Sequence, residues 1–198
     1  MPRPSLRENV VAAAVDQFHR RGYQGSGVKD ITDAAGLPKG SFYNYFGSKE
    51  DMALEALRRY GAGREMVRLQ DQATPPLARL RAHFEFLQDD VARVGVNYGC
   101  MFGNFATEST LESPALRAAV HGAFAHWIES VTGALRDAVA VGELPAERDI
   151  DLLARSLVRA WEGALLHAKV LSDRGPMDDF FTGTFEPLLG IQPAGEPR

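Results

Sequence analysis

Glycines at 22, 36 and 47 and a proline at 38 cut the first fifty residues into three short segments, inside which apolar residues recur at helical spacing. Val10, Ala14 and Phe18 step by four along a first helix that Ser5 can cap and Gly22 stops. A second, short helix follows Ser26 and Gly27 and ends at Gly36; Pro38 then opens a third segment, LPKGSFYNYF, which Gly47 closes. Ser48, with Asp51 three residues on, starts a longer helix. No window shows sustained period-two alternation between hairpin turns, so the pattern predicts an all-α fold.

Further along, Pro75 and Pro76 lead into PLARLRAHFEFLQDDVARV, and Asn97 is placed to cap a short helix, YGCMFGNFATES. Ser113 and Pro114 form a cap and first-turn pair for a helix reaching about residue 141, broken by Gly142 and Pro145. Asp149 leads IDLLARSLVRAWEGALLHAKVL, and Pro176 starts a last helix carrying Phe180, Phe181 and Phe185. The expected division is an N-terminal helix-turn-helix domain at 1–50, a helical body at 51–190 and a frayed tail at 191–198.

Composition narrows the function classes. Hydrophobic residues at 45% and charged residues at 24% fit a globular chain, and 198 residues suffice for a core without staples. No apolar run approaches the roughly 20 residues a membrane helix needs, and MPRPSLREN lacks the apolar stretch of a signal peptide, so the expected location is the cytoplasm. The single cysteine, Cys100, excludes an intrachain disulfide and any multi-cysteine metal site. There is no HExxH, no carboxylate–histidine spacing and no glycine-rich phosphate loop; no catalytic residue, metal or cofactor is expected. The net charge of −4 is unevenly spread. Residues 1–60 hold nine basic against seven acidic side chains, +2, and the remainder thirteen against nineteen, −6. A weakly positive start on an acidic body is compatible with local DNA contact.

Two short helices joined by a glycine turn, the second ending in polar and aromatic residues, make a helix-turn-helix whose second helix suits a major groove. Phe42 and Phe46, four apart, face a core shared with Phe18 and Ile31, which leaves Lys39, Ser41, Tyr43, Asn44 and Tyr45 to solvent or DNA. Taken alone, the same segment reads sooner as tyrosines that finish a small core beside solvated lysines.

The order of parts decides between these readings. RENVVAAAVDQFHRRGY, VKDITDAAGL and KGSFYNYFGSKEDM, in succession over residues 7–57, resemble the TetR family of one-component repressors. The resemblance implies a third helix in the major groove and a fourth whose N-terminus meets the phosphate backbone. It places Lys39, Gly40 and Ser41 at the groove edge, Tyr43 and Asn44 on phosphate or base edges, Tyr45 near the backbone, and Lys49 on a phosphate. Lys29 would hold the flanking backbone. Gly27 stands where the family often has a hydroxyl residue, which leaves Ser26 or the bare backbone N–H for that bond, and Pro38 replaces a common polar cap. A helical small-molecule-binding protein or enzyme without DNA binding is the alternative from another class.

The resemblance further implies a dimer, a palindromic double-stranded operator and a C-terminal body that binds a small-molecule effector. Leu153, Leu157, Trp161 and Leu165 form one stripe, with Ala160, Gly163 and Ala164 beside it. With Phe181 and Phe185 it reads either as a dimer interface or as an internal core. Residues for an effector pocket are His83, Phe84, Phe102, Asn104, Phe105, Glu108, Phe124, Trp127 and Trp161, against ordinary core packing for most of the rings.

Cys100 has two readings. A first-turn position would favour a thiolate open to electrophiles; burial would make it a small apolar filler. YGCMFGNFATES and WEGALLHAKV resemble a TetR subgroup answering to N-ethylmaleimide or acrylate-like electrophiles, which implies a Cys100 that reacts.

Overall fold

The computed structural model describes residues 5–108 and 111–191, and those residues are helical or looped, with no strand. Most of the tail expected to fray, from 192 onward, lies outside the described residues. The helices are α1 (Leu6–Arg21), α2 (Val28–Ala34), α3 (Lys49–Ala62), α4 (Pro76–Val94), α5 (Met101–Glu108), α6 (Pro114–Ala140), α7 (Ile150–Leu171), α8 (Gly175–Phe180) and α9 (Glu186–Leu189).

Local chemistry fixes four of these starts. Side-chain oxygens of Ser5, Ser48, Ser113 and Asp149 accept the backbone N–H three residues on, from Glu8, Asp51, Leu116 and Leu152, at 3.2, 3.0, 3.0 and 2.9 Å. Asn97 does not cap. It lies inside a 3₁₀ turn (Val96–Tyr98), and the position before α5 falls to Cys100, whose carbonyl accepts the Asn104 N–H at 2.9 Å. The last helix is interrupted by a π-helical turn (Phe181–Phe185). Pro187 explains it: the ring has no N–H for the Gly183 carbonyl four residues back, so the ladder slips.

The chain divides into two compact units, residues 1–64 with 100–123, and residues 65–99 with 124–198; the division falls inside α6. The core of the first is Val10, Ala14 and Phe18 of α1, Ile31 of α2, Phe42, Met52 and Ala56, and Phe105 of α5, all fully buried. Phe105 meets Phe18 edge-on at 5.7 Å, so α5 closes this unit against α1.

In the second unit Phe84 of α4 is the hub, with rings of Trp161, Phe180 and Phe185 at 5.4, 5.0 and 5.9 Å. Among these rings Trp127 donates its indole N–H to Nε2 of His83 at 2.9 Å. This packing corrects one expectation. Leu153, Leu157, Phe181 and Phe185 are buried within their own chain, so the stripe is internal core and those four offer a partner no surface. The cover is the chain's own last helix, since Trp161 meets Phe180 and Phe181 at 5.1 and 6.3 Å.

Candidate nucleic-acid interface

The segment expected to form a third helix is a six-residue 3₁₀ helix (Lys39–Asn44). Pro38 and Gly47 leave it little length, and its bonds tighten accordingly: Ser41 N–H donates to Pro38 and Tyr45 N–H to Phe42, both three residues back at 2.9 Å. Phe42 and Phe46 anchor it, their rings 5.8 Å apart and buried. Opposite them Lys39, Gly40, Tyr43 and Asn44 are exposed, with Ser41 and Tyr45 half-exposed. Tyr43 is 62% exposed yet held, its ring standing edge-on to Phe42 at 5.1 Å. An exposed aromatic with a fixed direction is suited to contact, because little rotamer freedom remains to be lost on binding.

Ser26 is a correction. It is fully buried, with its hydroxyl 3.0 Å from the Gln17 carbonyl and 2.9 Å from the Gly22 carbonyl, so it finishes α1 and reaches no phosphate. The Gly27 N–H donates to Asp30 Oδ2 at 2.8 Å. Lys29 is exposed and paired with Asp33 on the next turn, and that hydrogen bond, with its charge, raises the ammonium's pKa. Such an exposed pair is weak and leaves Lys29 available.

Lys49 is turned inward. Its Nζ stands 4.2 Å above the Tyr23 ring, where burial lowers its pKa against an opposing pull from Glu108. Tyr23 in turn packs on Phe18 and Phe105 at 5.8 and 5.6 Å. Burial raises the Tyr23 hydroxyl's pKa, with Glu50 and Glu112 adding to it. The Gln24 N–H donates to the Glu108 carboxylate at 3.2 Å, and the Gln24 side-chain amide donates to Glu112 at 3.2 Å. Sequence reasoning missed Tyr23, Gln24 and Glu112 because no local spacing connects them to residue 108.

The expected effector residues fall into both units. His83, Phe84, Trp127 and Trp161 are core of the second unit, where Phe124 is half-buried. Cys100, Phe102, Asn104, Phe105 and Glu108 belong to the first. Of these, Phe105 is core of the first unit and Glu108 is exposed at the α1–α2 loop. Phe102 borders a groove of about 250 Å³ with Leu54, Leu57, Arg58, Gly61, Ala119 and Ala123. Cys100 is half-exposed. Among the described residues no cluster of three or more His, Cys, Asp or Glu is gathered for a metal, and no helix is long and apolar enough to cross a membrane.

A short anchored helix presenting lysine, tyrosine and asparagine, on a three-helix head with a separate helical unit, defines a helix-turn-helix transcriptional regulator. Residues 10–56 match the bacterial regulatory proteins of the tetR family, and residues 76–184 match the tetracyclin repressor-like C-terminal domain. The HTH-type transcriptional repressor DhaR of Mycobacterium sp. (strain GP1) is 34% identical over 192 residues, 96% of this chain and 95% of that protein. The crystal structure of regulatory protein TetR from Rhodobacter sphaeroides aligns with a TM-score of 0.83 at 33% identity, covering 93% of this chain and 97% of that one. The reduced form of Escherichia coli NemR aligns at 0.81 and 26% identity, covering 90% and 94%. The chain belongs to the TetR family: it is a DNA-binding, ligand-responsive transcriptional regulator and not an enzyme.

Proposed function

We propose that this regulator is a cytoplasmic repressor that reads a palindromic operator as a dimer through the exposed side of its 3₁₀ segment, and leaves it when a small molecule binds. The observation that carries this reading is the division of labour at 39–46: Phe42 and Phe46 are buried while Lys39, Gly40, Tyr43 and Asn44 face outward. Ser41 and Tyr45 serve at the edge of the same surface, and Lys29 holds the flanking backbone. The first domain is taken as 1–50, and the body that senses and dimerises as 51–190.

The dimer surface is assigned to the outward side of α7, where Ala160 and Ala164 are half-exposed and Leu152, Leu166 and Val170 are 49, 65 and 74% exposed. Apolar residues this exposed on one helix suit a partner's helix. The effector is assigned to the groove beside Phe102, with Asn104 and Cys100 on the same element or at its start. An electrophile that adds to Cys100 is the effector class favoured by the half-exposed thiol at a helix start.

Selection from a random pool of DNA duplexes by the purified protein tests the reading. The expected outcome is a two-fold symmetric site with half-site centres about one helical turn apart, bound with steep salt dependence. Uptake of no duplex at low ionic strength overturns it.

A further inference from the structure

Phe46 anchors the far end of the reader segment. It stands between the 3₁₀ helix (Lys39–Asn44) and α3, its N–H donates to the Phe42 carbonyl at 3.1 Å, and its buried ring packs on that of Phe42. Part of its cover is a cation. The Arg7 guanidinium, on the first turn of α1, lies 5.3 Å from the centroid of the Phe46 ring. Glu55 of α3 aims it: Arg7 Nη1 donates to Glu55 Oε1 at 3.4 Å, and the same carboxylate takes two bonds of 2.9 Å from Arg58. The bonds from Arg58 hold Glu55 down to a pKa of about 2, so the carboxylate is charged wherever DNA is bound. Glu8 brings a second carboxylate 3.9 Å from Arg7 Nη1. The Arg7 charge is answered inside the head, and its long side chain serves as packing.

We infer that Arg7 is a positioning residue of the DNA reader: from the first turn of α1, aimed by Glu55, it clamps the Phe46 ring and with it the C-terminal end of the 3₁₀ segment. Phe46 follows Tyr45 directly and lies one helical turn from Phe42, so freedom at its ring becomes freedom of the exposed side that carries Tyr43 and Asn44. Losing the clamp lowers the fraction of molecules that hold this side in its binding pose, and affinity falls by that fraction. The DNA arm of the inference rests on the reading of 39–46 as the contacting surface.

The test uses the full chain, a duplex it has selected from a random pool and an unselected duplex of the same length. Arg7→Ala, which uncovers the ring and suits a helix, is expected to weaken binding to the selected duplex about 3- to 10-fold. Binding to the unselected duplex, carried by phosphate charge, is expected to change less than about twofold, and the slope of log affinity against log salt to keep its wild-type value. Equal losses on both duplexes, or a slope reduced by about one, would overturn the inference, since unfolding or a lost phosphate contact would then account for the effect. Arg7→Met restores an apolar cover with no charge to offer a phosphate, and is expected to recover part of the loss. A methionine variant no better than the alanine one would also overturn it.

Hydrogen exchange in the free protein needs no DNA. The Tyr45 and Phe46 amides, both bonded to the Phe42 carbonyl, are expected to exchange at least about 3-fold faster in Arg7→Ala, while amides of α7 keep their wild-type rates. Unchanged exchange at 45 and 46 would overturn the clamp. If the wild type takes up no duplex, the reading of 39–46 fails while this measurement still decides the clamp.

Discussion

Trp127 and His83 are joined by one hydrogen bond, 2.9 Å from the indole nitrogen to Nε2, between side chains that are 6% and 0% exposed. An indole N–H can only donate, so Nε2 must carry the lone pair and the imidazole is neutral. His83→Leu leaves that N–H buried without its acceptor and is expected to cost about 1 to 3 kcal/mol in urea denaturation. His83→Gln, which restores an acceptor, is expected to cost clearly less. Equal losses would mean that ring packing, not the bond, is what His83 contributes.

Gly22 occupies a backbone region, φ 73° and ψ 174°, that is essentially glycine's alone, and the Glu108 carboxylate fills the space where a side chain at 22 would begin. Gly22→Ala is expected to destabilise the protein by about 2 kcal/mol from backbone strain and displacement of that carboxylate together. Adding Glu108→Ala should recover part of the loss, because it relieves the collision and leaves the strain. Thermal unfolding of the single and double variants reads the difference.

Glu55 is held down to a pKa of about 2, first by its hydrogen bonds from Arg58, against burial, and then by the charges of Arg58 and Arg7. A depressed carboxylate contributes stability that is full above its unfolded value of 4.5 and is lost as pH falls toward 2. Between those limits the wild type should lose about 1 to 2 kcal/mol more than Glu55→Gln, a figure discounted because Arg58 is 66% and Arg7 43% exposed. Parallel acid titrations of the two proteins would refute the assignment.

On the outward side of α7, Leu166→Glu with Val170→Glu is expected to weaken self-association at least about tenfold, read by sedimentation equilibrium. Leu157→Ala, at a fully buried position, should instead lower stability with no specific effect on association. Intact dimers in the double-glutamate variant would move the interface elsewhere.

Cys100→Ser should blunt release from DNA by N-ethylmaleimide while leaving affinity in its absence near normal. If the serine variant is released equally well, the thiol is a filler.

The four helix starts at Ser5, Ser48, Ser113 and Asp149 were legible in the sequence because a cap bonds three residues away along the same chain. The anchored side of 39–46 was legible for the same reason, Phe42 and Phe46 lying one turn apart. Leu153, Leu157, Trp161 and Leu165 show the limit. Periodicity reports that a helix has an apolar side and is silent on who covers it; at Trp161, Phe180 and Phe181 of the same chain do. The surroundings of Lys49 were hidden in a similar way, since the Tyr23 ring and Glu108 lie 26 residues before it and 59 after it. The π-helical turn needed knowledge that α8 continues into Pro187 without stopping.

The start of α2 supplies its own counter-ion. The Gly27 amide, one of the N–H groups that such a start leaves without a helical partner, is already given to Asp30, so that donor is satisfied inside the protein before any duplex arrives.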